Sequence, residues 1–173
     1  EEWRASRAKA PLDRSPLNIY EVHLGSWRRH ENGDFYDYRT LARELADHVL
    51  DLGYNCVELM PVTEYPLDDS WGYQCTGYFA PTSRFGTPEE LKRLIDEAHK
   101  MGIAVIMDIV HSHAVKNEVE GLGRFDGSYD QYFYGDSRRE HPAWDSLCFD
   151  YGKNQVIHFP VSYTHLTLPT ILL

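Results

Sequence analysis

An acid and an imidazole follow the most apolar short run of the chain. The run Ile103–Met107 is followed directly by Asp108, and His113 lies five residues further on. A β-branched apolar run between a glycine and polar residues is typical of a strand buried on both faces. Parallel α/β strands present ligand-binding groups at their carboxyl ends, so Asp108 and His113 are candidates to meet a ligand there. The alternative is structural, with Asp108 capping the next turn and His113 filling a corner of the core.

The sequence His111-Ser112-His113 allows a second interpretation of the carboxyl end of this predicted strand. Two histidines separated by one residue lie on one face of a strand, which suits two metal ligands, and Asp108 is nearby. A metal-dependent hydrolase is therefore an alternative function. It is weakened because no further His/Asp cluster in the sequence offers a plausible third ligand.

The segments before this end alternate between strand and helix patterns. Strand patterns occur at Asn18–Leu24, Asn55–Met60 and Ile103–Met107. The first helix is predicted from Asp37 to a stop at Gly53, with one apolar face. The second begins at a Thr87 cap followed by Pro88, and it stops at Gly102. This alternation predicts a parallel sheet, in either a doubly wound fold or a (β/α) barrel. No glycine-rich phosphate loop follows a strand, which favours the barrel.

Two long segments without a regular period carry many of the aromatic side chains. Val62–Phe85 contains Trp71-Gly72-Tyr73-Gln74, and Ala114–Asn154 contains Trp144 among seven Tyr and Phe residues. Irregular segments of this length are usually functional or disordered, and the aromatic content argues against disorder. The alternative is a small satellite core beneath a long loop. Gln155–Phe159 then predicts the start of a third helix.

The composition argues against several classes of partner. A net charge of -10 at pH 7 disfavours nucleic acid and anionic membranes. No window approaches the ~18 apolar residues of a membrane span, and the amino end lacks the pattern of a secretion signal. Three dispersed cysteines suit a reducing cytoplasm better than a disulfide framework. We therefore expect a cytoplasmic protein with neither a nucleic-acid nor a membrane partner.

Four motifs occur in order along the chain. They are Asn18–Trp27 (NIYEVHLGSW), Glu58–Val62 (ELMPV), Ser70–Thr87 (SWGYQCTGYFAPTSRFGT) and Asp108–Ala114 (DIVHSHA). Together they resemble the 1,4-α-glucan branching enzymes of the α-amylase family of glycoside hydrolases, over roughly Pro16 to Phe159. The resemblance implies a (β/α)₈ barrel that cuts an α-1,4 bond of a glucan and re-attaches it through an α-1,6 bond. The implied partner is therefore an α-glucan such as glycogen or amylose.

The resemblance also implies roles for particular residues. Asp108 and His113 match the acid and the histidine that hold hydroxyls of the sugar next to the cleaved bond. These groups suit the task, because a carboxylate accepts from two vicinal hydroxyls and an imidazole donates to a third. Tyr73 matches the tyrosine on which that sugar stacks. Trp71 and Gln74 are possible further contacts, with core packing as the alternative for Trp71. Glu58 is expected to be a polar residue of the barrel interior rather than a catalyst.

Two departures from the family pattern limit what is implied. Many amylases have a calcium-binding Asn before the signature histidine, but this chain has Ser112, so the resemblance implies no metal and no cofactor. The nucleophilic Asp, the acid/base Glu and a third Asp of the family belong to strands four, five and seven, beyond this chain. Retaining glycosyl transfer needs two carboxylates about 5 Å apart, and no pair here matches those roles. We therefore assign no catalytic residue.

The resulting fold prediction is an incomplete α/β barrel. It consists of the first three β/α units of a (β/α)₈ TIM barrel and a long loop after the third strand. The predicted function is that of a branching-enzyme fragment that carries sugar-binding residues and is inactive and aggregation-prone alone. A non-catalytic glucan-binding module and another α-amylase-family hydrolase are the alternatives.

Three regions are expected along the chain. Residues 1–16 are predicted to be a linker from an upstream domain, 17–159 the partial catalytic barrel and 160–173 a non-native tail. Val161–Thr170 resembles a translated sequencing adapter. The absence of an initial Met suggests a piece of a longer protein. The sequence up to about Phe85 resembles the bacterial branch of the family, and from about Met107 it resembles the eukaryotic branch. A chimeric junction near Arg84–Thr87 or a divergent natural gene would explain this.

Overall fold

The computed structural model describes residues 16–160 and 162. The predicted linker and tail, residues 1–16 and 160–173, lie outside the described residues except for positions 16, 160 and 162. The chain forms two compact units. The parallel unit contains the described residues 16–60 and 84–107, and the antiparallel unit contains 61–83, 108–160 and 162. The names follow the direction of the strands in each unit.

Short strands and two long helices make up the regular structure. The strands are β1 (Ile19–Val22), β2 (Cys56–Leu59), β3 (Thr63–Glu64), β4 (Gly77–Pro81), β5 (Ala104–Met107), β6 (His113–Val115), β7 (Glu140–His141) and β8 (Ser146–Cys148). The helices are α1 (Leu24–Trp27), α2 (Tyr38–Asp51) and α3 (Pro88–Lys100). Residues 154–160 are also helical, which confirms the predicted start of a third long helix.

The parallel unit contains the three predicted strands as one sheet. The strand order is β1-β2-β5 with both pairings parallel, and Val57 of β2 lies between Tyr20 and Val105. The parallel sheet expected from the alternating pattern is confirmed. The first strand ends at Val22 rather than at Leu24, because Leu24 begins the short helix α1.

Local capping bonds fix where α2 and α3 begin. The Asp37 carboxylate accepts from the Thr40 backbone N–H (2.7 Å) at the start of α2. At the start of α3 the Thr87 hydroxyl accepts from the Glu90 N–H (3.3 Å), while the Glu90 carboxylate accepts from the Thr87 N–H (2.8 Å). This reciprocal capping box satisfies two backbone donors that the helix itself leaves unpaired. Both predicted helices are confirmed, as is the predicted Thr87 cap; the Asp37 cap is an addition from the structure.

The apolar faces of α2 and α3 pack on the sheet around a small void. A void of only about 10 Å³ remains between the helices and the strands. It is lined by Leu41, Ala42, Leu45, Ala46, Val57, Leu94, Ala98, Ile103 and Val105. This volume holds at most about one water molecule, so this void is too small for a sugar.

The antiparallel unit corrects the loop predictions. Val62–Phe85 contains the antiparallel pair β3–β4, and Ala114–Asn154 contributes to the antiparallel sheet β6-β8-β7. Strands of two to five residues are too short to show a period-2 pattern in the sequence. A second apolar core consists of Cys75, Tyr78, Ala114, Phe133, Leu147, Phe149 and Val156. The satellite core considered as an alternative is therefore present.

The Glu64 carboxylate joins β3 to the segment after β4. It accepts from the Ser83 N–H (2.9 Å) and from the hydroxyls of Thr82 (3.0 Å) and Ser83 (3.1 Å). Burial raises the pKa of Glu64, but these bonds and one from the Tyr65 N–H outweigh it, so the pKa lies below its usual 4.5. The ionised carboxylate therefore stabilises this turn at neutral pH.

No helix within residues 16–160 and 162 has both the length and the apolar character that crossing a membrane requires.

Candidate functional site

A left-handed turn presents Tyr73 in the antiparallel unit. Trp71 and Gly72 have φ values of +53° and +89°, and the Tyr73 N–H donates to the Ser70 carbonyl (2.9 Å). A Cβ atom on Gly72 would overlap the carbonyl oxygen of Pro61. Because glycine is the residue that tolerates both this φ and this close approach, the Trp-Gly-Tyr order determines where the tyrosine lies.

Tyr73 hydrogen-bonds to both of the other predicted sugar-binding residues. Its hydroxyl donates to Oδ2 of Asp108 (2.7 Å), and its backbone carbonyl is 2.9 Å from Nε2 of His113. Residues separated by 35 and 40 positions in the sequence are thereby joined at one place. The fold of the antiparallel unit thus brings Tyr73, Asp108 and His113 together.

The hydrogen bonds of His113 determine its tautomer. A carbonyl oxygen only accepts, so Nε2 carries the proton, and Nδ1 accepts from the Ser112 hydroxyl at 2.8 Å. Burial lowers the pKa of His113 below 6.5; the bond to Tyr73 opposes this shift and the nearby His141 adds to it. The imidazole is therefore neutral at pH 7. Its donor proton is shared with the protein backbone, so a sugar hydroxyl would meet an imidazole already held in place.

A cavity of about 470 Å³ opens beside this network. It is lined by Ser70, Tyr73, Gln74, Ser112, His113 and Trp144. Of the predicted site residues, Tyr73, Gln74 and His113 line the cavity, and Asp108 is connected to it through the Tyr73 hydroxyl. Trp71 is 52% exposed and is not among the lining residues. The core position considered for Trp71 is therefore wrong.

Trp144 and Ser70 line the cavity, and sequence reasoning did not single them out. Trp144 was one of eight aromatic residues in a segment without periodicity. Nothing in its spacing distinguishes it from Phe133 or Phe149, which are buried in the satellite core. The signal that separates them is tertiary, since it depends on the β7–β8 pairing.

The metal interpretation receives little support from this geometry. Within residues 16–160 and 162, no group of three or more His, Cys, Asp or Glu side chains could hold a metal ion. Both ring nitrogens of His113 are already hydrogen-bonded. Burial lowers the pKa of His111 below 6.5 and the nearby Asp108 opposes this shift.

The arrangement suits a neutral ligand rich in hydroxyl groups. Its volume lies within the roughly 300–1,000 Å³ of typical small-molecule sites. The lining offers hydroxyl and amide groups together with two large aromatic rings, and it contains no carboxylate. A pyranose ring has polar edges and apolar C–H faces, so it matches such a lining.

Comparison with known proteins identifies the class. The family of the alpha-amylase catalytic domain matches residues 21–152, which include most of both units. The chain belongs to this family, as its motifs predicted. An α-amylase from Geobacillus thermoleovorans, solved in complex with acarbose, aligns with a TM-score of 0.74 at 16% identity. The alignment covers 90% of this chain and 38% of that one, and it shows the fold.

Within this class, the chain is similar to 1,4-alpha-glucan branching enzymes. The enzyme of Albidiferax ferrireducens is 52% identical over 164 residues, which are 94% of this chain and 26% of that protein. The enzyme of Nitrosococcus oceani is 51% identical over 93% of this chain and 21% of that protein. The chain thus spans about a fifth to a quarter of the length of the curated relatives it matches.

Proposed function

We propose that this chain is the amino-terminal part of the catalytic barrel of a 1,4-α-glucan branching enzyme. We further propose that the cavity of the antiparallel unit holds one glucosyl unit of an α-glucan. The observation that carries this proposal is the network in which Tyr73 hydrogen-bonds to both Asp108 and His113 at the cavity. The similarity to branching enzymes supports the choice of substrate.

Each of the three residues has a distinct part in sugar binding. Asp108 does not line the cavity itself; its Oδ2 accepts from the Tyr73 hydroxyl and so orients the phenol at the cavity wall. The carboxylate keeps acceptor capacity for a sugar hydroxyl that extends beyond this lining. The ring of Tyr73 offers an apolar surface to the C–H face of the sugar. His113 is neutral and both of its ring nitrogens are hydrogen-bonded within the protein, so it offers the sugar an oriented ring surface, and a sugar hydroxyl would bond to it by replacing one of these partners.

The incomplete sheet supports the fragment proposal. Among the described residues, β1 and β5 each pair only with β2, so each has one open edge. A closed barrel has no open edges and takes about 250 residues. We therefore propose that the strands correspond to the first three of eight. The carboxylates that carry out the reaction would lie beyond this chain, and the chain alone would be inactive.

A non-catalytic glucan-binding module is the second candidate. It is favoured by the cavity lining, which has no carboxylate and therefore no pair at the separation that retaining glycosyl transfer requires. The two candidates share one binding site. They differ in whether an extended chain that includes this segment turns over its substrate.

Binding of maltoheptaose, measured by isothermal titration calorimetry, tests the shared site. We expect Asp108→Asn to weaken binding about ten- to hundredfold, since hydrogen bonds to a charged group are lost. Tyr73→Ala should weaken it as well. Asp136→Asn is the matched control, because Asp136 is an exposed carboxylate of the same unit that pairs with Arg138. Equal affinity for cellohexaose, or unchanged binding in Asp108→Asn, would contradict the proposal.

An assay for new α-1,6 linkages in amylose, read by proton NMR, tests the fragment part. We expect no branching by this chain. Branching by the purified chain would show that its catalytic carboxylates lie within it.

A further inference from the structure

The β7–β8 hairpin carries Trp144 at its tip. His141 pairs with Ser146, and the four residues between them form the connecting loop. The backbone N–H of Trp144 donates to the backbone carbonyl of His141 (3.2 Å), and Asp145 adopts a left-handed φ of +46°. Lys116 bonds to Asp145 (2.7 Å) and to Glu140 (3.1 Å), so one ammonium group ties both ends of the hairpin. The loop is thereby held in a defined conformation.

Two histidines contact the indole ring of Trp144. The imidazole of His141 is stacked on it, with ring centroids 4.1 Å apart and planes 14° from parallel. The ring of His113 lies 5.4 Å away at an angle of 50°. Trp144 as a whole residue nevertheless remains 56% exposed, and it lines the cavity. The stacked imidazole of His141 covers one face of the indole, and more than half of the residue's surface stays open to solvent.

Exposure distinguishes Trp144 from the aromatic residues of the satellite core. Phe133 and Phe149 are buried there and stack on each other. A large aromatic residue that is more than half exposed at the wall of a hydroxyl-lined cavity, with its ring stacked on an imidazole, is poorly explained by packing. It is well suited to contact a flat ligand.

We infer that Trp144 is a second aromatic platform for the glucan, with His141 as the residue that positions it. This inference rests on the proposed function. Tyr73 and Trp144 line the same cavity, and the sugar chain would contact both rings. Such contacts favour a glucan that presents C–H faces to each ring, so they contribute to the choice of substrate as well as to affinity. His141 contacts no substrate in this arrangement and acts through the indole.

Titration of this chain with maltoheptaose tests the role of Trp144. We expect Trp144→Ala to weaken binding about tenfold, and Trp144→Phe to remain within about threefold of the natural chain. The change in tryptophan fluorescence on binding should be lost in Trp144→Phe, because the indole that meets the sugar is gone. Phe125→Ala is the control, since Phe125 is an exposed aromatic residue of the same segment and does not line the cavity.

The outcomes separate this inference from the proposed function. If Asp108→Asn weakens binding as expected while Trp144→Ala binds like the natural chain, the inference is wrong and the proposed function stands. If the natural chain binds no maltoheptaose, both are wrong. Circular dichroism melts of each variant establish that it is folded, and Trp144→Phe provides the readout should Trp144→Ala not fold.

The role of His141 has its own test. Its Nδ1 atom is buried and has no hydrogen-bond partner among the described residues, so a carbocyclic ring can replace the imidazole in the stack. We expect His141→Ala to weaken maltoheptaose binding about threefold and His141→Phe to restore it. Binding that is equally weak in both variants, or unchanged in His141→Ala, would overturn the positioning role.

Discussion

The parallel unit and the antiparallel unit fill their interiors in different ways. In the parallel unit, two long helices cover the sheet and leave a void of about 10 Å³ among apolar side chains. The antiparallel unit contains strands of at most five residues, a compact satellite core and, beside it, a cavity of about 470 Å³ with polar and aromatic walls. Regular elements with long apolar stripes pack to near completeness, whereas short strands joined by turns leave room for a ligand.

This difference separates stability from binding along the chain. The residues that line the void of the parallel unit are Ala, Leu, Ile and Val, whose burial drives folding. The residues that line the cavity are Ser, Tyr, Gln, His and Trp, which offer hydrogen bonds and flat surfaces. Substitutions in the first set should therefore change the free energy of unfolding, and substitutions in the second set should change sugar affinity.

The largest expected effect is that of Leu41→Ala in the parallel unit. Leu41 is fully buried on α2, so the substitution should lower the free energy of unfolding by about 2–5 kcal/mol. Urea denaturation followed by circular dichroism measures this. Leu50→Ala on the same helix is the control, because Leu50 is 42% exposed and should cost about 0.5 kcal/mol. Similar losses of unfolding free energy in the two variants would contradict the claim that close packing stabilises the parallel unit.

Gly72→Ala should damage the antiparallel unit and its site together. The new Cβ would overlap Pro61 at a positive φ, which costs about 1–3 kcal/mol and displaces Tyr73. We expect maltoheptaose binding to be lost in calorimetric titrations. Gly127→Ala is a matched control, because Gly127 also has a φ of +90° but has no atom within 4 Å of its added Cβ. It should lose stability and retain binding; binding by Gly72→Ala would contradict the positioning role of the turn.

Removal of the α3 cap should have a smaller effect, confined to stability. Thr87→Ala deletes the hydroxyl that accepts from the Glu90 N–H, and such a loss costs about 1 kcal/mol. Thr87→Ser keeps the hydroxyl and should restore most of the stability in the same urea titration. A change in maltoheptaose affinity in Thr87→Ala would contradict the claim that substitutions in the parallel unit affect stability alone.

The smallest expected effect is a dependence of stability on pH. Burial lowers the pKa values of His111 and His113 below 6.5 in the folded chain. Below that pH the unfolded chain binds more protons, so stability should be fully present above 6.5 and decline as the pH falls. Melting temperatures from about pH 7.5 to about pH 5.5 measure this decline. The double variant His111→Asn and His113→Asn should show a shallower slope, and an unchanged slope would assign the decline to other groups.

The parallel unit was largely predictable because its signals are local. The helix beginning at Thr87 is predicted from four consecutive residues, and the strand Ile103–Met107 is predicted from a continuous apolar run. The antiparallel unit was not, since β3 and β7 have two residues each and owe their pairing to the rest of the fold. The helix α1 was missed for the same reason.

The proximity of the three motif residues could be predicted from the sequence, but the hydrogen bonds between them could not. The motifs singled out Tyr73, Asp108 and His113, which do come together. That His113 would contact the backbone of Tyr73 rather than its side chain could not be read from residue types. Trp144 escaped prediction because its exposure depends on a hairpin that no sequence period reveals.

The bond between His113 and the main chain at position 73 has an evolutionary consequence. Every residue has a backbone carbonyl oxygen. His113 therefore keeps this hydrogen bond whichever residue occupies position 73, as long as the backbone conformation is unchanged. The hydrogen bond to Asp108, in contrast, requires the hydroxyl of the Tyr73 side chain. Replacement by phenylalanine would thus leave the imidazole seated and release the carboxylate, which makes the two halves of this small network separately adjustable over evolutionary time.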